Sequence, residues 1–166
     1  MWVFKVCLVG AFAVGKSSLA RRFVSDVFSD RYLTTIGVRI EKRALEVDGA
    51  SVRLAVWDIH GEDRFQSVDS LYLRGAAGIA LVVDPTRPDT VQVATELSER
   101  ARRAAPEAVQ IVLLNKLDLR DDWRPEVETV VDTIGAEAVH RVSAKTGEGV
   151  EGSFDELTRS MLKRGR

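Results

Sequence analysis

A single cysteine, Cys7, in 166 residues leaves no partner for an internal disulfide and no cysteine cluster for a metal. It reads as a small apolar residue inside a strand, in a chain suited to a reducing compartment. Neither sign of charge dominates: 24 Lys and Arg against 25 Asp and Glu give a formal net charge of −1. No global basic field is therefore present for nucleic acid or an anionic membrane. Long apolar runs are missing too. The best, GAAGIALVV over residues 75–83, is flanked by Arg74 and Asp84 and falls well short of the roughly 18 residues of a membrane span, so it reads as a buried strand. The sequence begins Met-Trp and ends Lys-Arg-Gly-Arg, offering no acceptor for myristoyl or prenyl groups. These features predict a cytoplasmic protein, monomeric, with no direct lipid anchor and no nucleic-acid partner. Repeats, low-complexity tracts and Pro/Gly/Ser-rich linkers are likewise lacking, which leaves residues 1–166 as one domain.

Hydrophobic residues, at 45%, are ample for a core, and they fall in a regular order. Short apolar runs over 2–9, 38–47, 52–57, 79–83, 110–114 and 138–142 read as strands. Segments of helical period over 16–27, 89–104, 124–134 and 150–163 separate or follow them. Asp48-Gly49 between the second and third runs is a two-residue hairpin signal. The pattern predicts an α/β fold with a mostly parallel sheet, one antiparallel edge strand and helices on both faces. Ligands of such sheets bind beyond the carboxyl ends of the strands.

GAFAVGKS, residues 10–17, directly follows the first strand and opens the first helix. That context separates a phosphate-binding loop from an ordinary glycine turn. It also displaces the reading of residues 6–14 as the apolar core of a signal peptide. Amides of Ala13, Val14, Gly15, Lys16, Ser17 and Ser18, aided by the positive helix end, can surround an anion. Lys16 adds a charge for the outer phosphates, and the Ser17 hydroxyl can coordinate Mg²⁺.

Two further segments make the chemistry specific. Asn115-Lys116-Leu117-Asp118 follows the fifth apolar run, and Ser143-Ala144-Lys145 follows the sixth. Together with the phosphate loop they resemble the Ras superfamily of small GTPases. LYLRGAAG over 71–78 and ALVVDPT over 80–86 are most similar to the Rab branch. The resemblance implies the six-stranded P-loop NTPase fold of that family, and binding of GTP and GDP with Mg²⁺. It assigns Asp118 to guanine N1–H and the exocyclic amine, Asn115 to orienting the loop, and the Lys116 stem to packing along the base. The Ala144 N–H would donate to guanine O6, with Ser143 and Lys145 completing the pocket. A polar pocket of this kind rejects the wrong base by roughly 10⁴-fold or more, so ATP is excluded. By the same resemblance Phe28 stacks near the base, Tyr32 contacts nucleotide, and Thr35 joins Ser17 on Mg²⁺. Asp58 holds a metal-bound water, and the Gly61 N–H meets the γ-phosphate. Lys16, Thr35, Gly61 and Glu62 would carry catalysis. Loops over 31–39 and 62–73 would change with nucleotide and meet effectors, exchange factors or GTPase-activating proteins. A small ATP-dependent kinase shares the phosphate loop but leaves the residues from Asn115 to Asp118 and from Ser143 to Lys145 unexplained.

Three positions depart from the family pattern. Glu62 stands where the family has a glutamine that orients the attacking water, so a charge replaces a neutral amide. Phe12 stands where a small residue leaves room for an activator's arginine finger, a group worth about 10³–10⁵ in rate. His60 precedes Gly61 where alanine is common, and solvent is its expected surroundings. The resulting expectation is a switch with slow, activator-dependent hydrolysis. The alternative is a GTP-bound recruitment module that does not cycle. The basic run over 99–103 lies on a predicted helix and reads as a solvated face.

Overall fold

The structure is a computed structural model that describes residues 1–29, 37–63 and 67–165. Among the described residues, six strands form one sheet in the order β2-β3-β1-β4-β5-β6. They are β1 (Trp2–Gly10), β2 (Val38–Val47), β3 (Ala50–Ile59), β4 (Gly78–Val83), β5 (Val109–Leu114) and β6 (Ala138–Arg141). Only β2 runs antiparallel, paired with β3 from Val38 opposite Ile59 to Val47 opposite Ala50. The turn between them is the one the sequence signals: Asp48 and Gly49 both take positive φ, 51° and 76°, as a two-residue hairpin of right-handed twist requires.

Alternation along the strands divides the core in two. Val6 and Leu8 of β1, Ala80 and Val82 of β4, and Ile111 and Leu113 of β5 face α1 (Lys16–Ser25) and α4 (Val150–Arg164). Cys7, Val9, Ile79, Leu81, Val112 and Leu114 face α2 (Asp89–Ala104) and α3 (Pro125–Val131) on the other side. Every residue of β4 and β5 is buried, which is why these strands read as unbroken apolar runs. Across the first face, Phe23 of α1 stacks on Phe154 of α4 with ring centroids 4.0 Å apart. Burial raises the Cys7 thiol pKa to about 12, so it is an inert core group.

Two helices end earlier than their periodicity suggests. α1 stops at Ser25 because Asp26 turns left-handed (φ 53°) while its N–H still donates to the Arg22 carbonyl. Beyond Val131 the predicted third helix tightens into a 3₁₀ turn, Asp132–Ile134, closed by Gly135 at φ 72°. β3 is longer than expected and carries Asp58 on its last turn-ward residues. Because β1, β4, β5 and β6 are parallel, their carboxyl ends meet along one edge of the sheet, where the phosphate loop, Asp84, Asn115 and Ser143 emerge. Replacing Phe154 by Ala removes the ring that locks α1 to α4, and a loss of about 3–5 kcal/mol in urea unfolding is expected.

Candidate functional site

Four successive carbonyls of the phosphate loop each accept a hydrogen bond from a side chain. Lys16 Nζ reaches the Ala11 carbonyl at 3.2 Å and Arg87 Nη2 the Phe12 carbonyl at 2.7 Å. Lys116 Nζ lies 3.3 Å from the Ala13 carbonyl, and Asn115 Nδ2 donates to that of Val14 at 3.0 Å. In a trans peptide the carbonyl and the next N–H point in opposite directions. Holding the Phe12, Ala13 and Val14 carbonyls therefore turns the amides of Ala13, Val14 and Gly15 to the other side, toward one another. The amides of Lys16, Ser17 and Ser18 continue this series at the start of α1, ahead of the first helical bond from the Leu19 N–H to the Gly15 carbonyl at 2.9 Å. Gly15 is required twice over, by its φ of 100° and because a Cβ there would sit 2.3 Å from Asn115 Nδ2.

Asp84, buried at the end of β4, organises the clamp. Its carboxylate binds Lys116 Nζ at 2.6 Å and Arg87 Nε at 3.3 Å, and accepts from the Thr86 hydroxyl at 2.7 Å. Burial alone would raise its pKa, but the bonds from Lys116 and Thr86 outweigh that and hold it below the ordinary carboxylate range. Lys16 shows the reverse balance. Burial lowers its pKa to about 8, partly offset by the Asp58 charge and reinforced by Arg87, so the loop presents an ammonium with little compensation. Such a site favours an anion.

Ser17 Oγ donates to Asp58 Oδ2 at 2.5 Å across the loop from Lys16. Burial raises the Asp58 pKa, opposed by the Ser17 bond and by Lys16. A hydroxyl and a carboxylate at an anion-binding loop form the hard oxygen donor set that suits Mg²⁺. Thr35, the third expected ligand, and Tyr32 lie outside the described residues.

The two segments that the resemblance assigns to a base are joined by side-chain bonds beyond β5 and β6. Asp118 Oδ1 accepts from Ser143 Oγ at 2.7 Å, and Ser143 Oγ accepts from the Thr146 N–H at 3.1 Å. The Asp118 side chain remains exposed. Asn115 accepts from the Ala144 N–H at 3.1 Å while donating to Val14, so one amide ties the base loop to the phosphate loop. The Ala144 N–H, which the family resemblance assigns to guanine O6, donates here to Asn115 Oδ1. Arg22 fixes the loop's far side, donating to the Ala144 carbonyl at 2.8 Å and the Lys145 carbonyl at 2.6 Å. Lys116 takes a left-handed conformation (φ 67°), and its carbonyl accepts from Trp123 Nε1 at 2.9 Å. Phe28 packs half-buried against the core beside α1.

The segment after β3 lies on the phosphate loop. The Glu62 N–H donates to the Gly10 carbonyl and the Phe12 N–H to the Glu62 carbonyl, both at 3.0 Å. Gly61 is in direct contact with the loop: a Cβ there would meet Phe12 Cα at 2.6 Å. The Glu62 carboxylate does not extend over the loop but pairs with Arg100 of α2, at 2.5 Å and 2.9 Å. His60 is not solvated as expected. Its ring nitrogens lie 3.2 Å from the Gly37 carbonyl and 2.9 Å from that of Ser67, and its ring meets Tyr72 edge-on. Nearby, Leu71 and Ile40 are exposed, and Phe65 lies outside the described residues.

Sequence reasoning missed Asp84, Arg87, Arg22 and Arg100. Only Asp84 carried a signal, as an acidic residue closing an apolar strand at the sheet's carboxyl edge.

Residues 5–163 match the sequence model of the Ras family. "Ras-related protein RABA4b" of Arabidopsis thaliana is 37% identical over 159 residues, which cover 94% of this chain and 71% of that protein. "GTP-binding protein ypt2" of Schizosaccharomyces pombe is 34% identical over 166 residues, 98% of this chain and 82% of the relative. "Ras-related protein RABD2a" of Arabidopsis thaliana is 36% identical over 167 residues, again 98% and 82%. With similarity of this extent running through the phosphate loop and both base-pocket segments, the chain belongs to the Ras family of small GTPases and has Rab proteins among its relatives.

Proposed function

We propose that this protein is a switch that binds GTP and GDP, hydrolyses GTP slowly and presents its loops over 31–39 and 62–73 to effectors and regulators. The observation that carries the reading is the carbonyl clamp of Lys16, Arg87, Lys116 and Asn115, which turns the amides of the phosphate loop to its opposite side. Asp118 and the Ser143 loop lie at the other side of Asn115, where an exposed carboxylate selects guanine by its paired N–H donors. Ser17 and Thr35, with Asp58 through a water, are the residues that would hold Mg²⁺. When bound, the ion neutralises charge on the outer phosphates. Lys16 adds its ammonium to the same phosphates, and the Gly61 amide lies close enough to the loop to report the presence of a third.

Hydrolysis needs a group that orients water, and Glu62 is held by Arg100 instead. That pairing supports slow turnover, and equally favours a second reading in which the protein recruits partners in its GTP form without cycling. Phe12 within the loop adds to it, a bulky side chain standing where a small one would leave room for an activator's arginine. No helix among the described residues is long and apolar enough to cross a membrane.

Single-turnover hydrolysis on stoichiometrically GTP-loaded protein, with bound nucleotide resolved by chromatography, tests the proposal. Conversion to GDP is expected, faster in Glu62→Gln, and Phe12→Gly is expected to gain response to an arginine-finger activator. Persistent GTP would select the non-cycling module, and failure to load GTP would overturn both readings. A second prediction follows from Lys16. Its pKa is about 8 in the free protein, whereas bound phosphates keep it protonated. Binding above that pH must therefore take up a proton, and affinity falls with rising pH by up to about tenfold per unit. Calorimetry of GDP binding near about pH 9, in buffers of different ionisation enthalpy, is expected to show close to one proton taken up. Heats independent of the buffer would contradict this.

A further inference from the structure

The backbone at Gly61 and Glu62 touches the phosphate loop, through the bonds to Gly10 and Phe12 and the close packing of Gly61 on Phe12. A glutamate side chain reaches only roughly 5 Å from its own backbone, so the Glu62 carboxylate stays close to the loop that, on the guanine-nucleotide reading, would hold the outermost phosphate. Left bare, it would repel a triphosphate more than a diphosphate, because only the former brings charge to that end. Arg100 meets this carboxylate with a two-pronged grip, Nη2 to Oε1 at 2.5 Å and Nη1 to Oε2 at 2.9 Å. The same Nη1 lies 3.2 Å from Ser67 Oγ and 3.3 Å from the Val68 carbonyl, while the Val68 N–H is 3.4 Å from Glu62 Oε2. One guanidinium thus ties Glu62, Ser67 and Val68 to α2. The pair is poorly screened, with Arg100 and Glu62 side chains only 23% and 12% exposed. A fork of this geometry fixes direction as well as charge, which a lysine cannot do.

We infer that Arg100 is a positioning residue that sets the preference between GTP and GDP, by drawing Glu62 aside and neutralising it so that the γ-phosphate is admitted. The inference rests on the guanine-nucleotide reading above. It assigns to α2, which contributes no expected nucleotide ligand, a role in telling the two nucleotides apart.

Affinities for GDP and for a non-hydrolysable GTP analogue, measured by fluorescent-nucleotide titration on the full chain, test it. Arg100→Ala is expected to lower the ratio of GTP-analogue to GDP affinity by about tenfold, equivalent to about 1.4 kcal/mol. Adding Glu62→Gln to that variant is expected to restore the ratio, since the repelling charge is gone. Arg100→Lys, which fills similar space and keeps one charge without the fork, is expected to shift the ratio the same way by less, and it carries the test if Arg100→Ala does not fold. Equal weakening of both nucleotides in the Arg100 variants, or a ratio that Glu62→Gln does not restore, would overturn the inference. A wild-type protein that binds neither nucleotide would instead overturn the reading on which it rests.

Discussion

The orientation of a few peptide groups is the constraint on which the rest of this structure depends. Between Ala11 and Val14 the chain leaves β1 without regular secondary structure, and its carbonyls need partners. Four side chains from three elements supply them: Lys16 from α1, Arg87 from the turn after β4, and Asn115 and Lys116 from the end of β5. The amides of Ala13, Val14 and Gly15 follow by peptide geometry alone. For those donors to arrive together, β4 and β5 must end level with β1 on one edge of the sheet, and the parallel register of the three strands provides this. Asp84 then keeps two of the cations from repelling each other by binding both.

Much of this was legible in the sequence because it is local. Alternation of apolar runs with helical periods fixed six strands and four helices to within a few residues, and Asp48-Gly49 announced the antiparallel edge. The phosphate loop is a short contiguous pattern, and the residues from Asn115 to Asp118 and from Ser143 to Lys145 are short contiguous segments whose roles the family resemblance implies. What was not legible is long-range. Arg87 lies 75 residues from the carbonyl it holds, and Arg100 lies 38 from Glu62, with neither spacing leaving a periodic mark. The bond from the Ala144 amide to Asn115 spans 29 residues and is likewise invisible in the sequence. His60 looked like a solvated histidine because nothing in its neighbours predicts two carbonyls, from Gly37 and Ser67, converging on its ring. Tyr32, Thr35 and Phe65 lie outside the described residues, so their roles rest on resemblance alone.

Two of the three departures from the family pattern, Phe12 and Glu62, are physically connected in the folded chain. Phe12 gives its carbonyl to Arg87 and its amide to Glu62, and Glu62 gives its carboxylate to Arg100. A substitution at the expected catalytic position is thus accompanied by an ion pair that restrains it. Lys16 is under an opposite tension, since burial lowers its pKa and an arriving phosphate relieves the cost. The phosphate loop is consequently a preoriented space with a buried ammonium, and the carboxylates of Asp58, Asp84 and Glu62 around it are each held by a partner.

Because Asp84 touches no expected nucleotide atom, it isolates the central claim that the carbonyl clamp shapes the site. The decisive measurement is the dissociation rate of fluorescent GDP from Asp84→Asn, compared with wild type at matched melting temperature. The account predicts release faster by about tenfold or more, as the bonds of Lys116 and Arg87 to the loop weaken with their shared counter-ion. Release at the wild-type rate from a folded variant would mean that the loop holds its amides without the clamp, and would contradict the account.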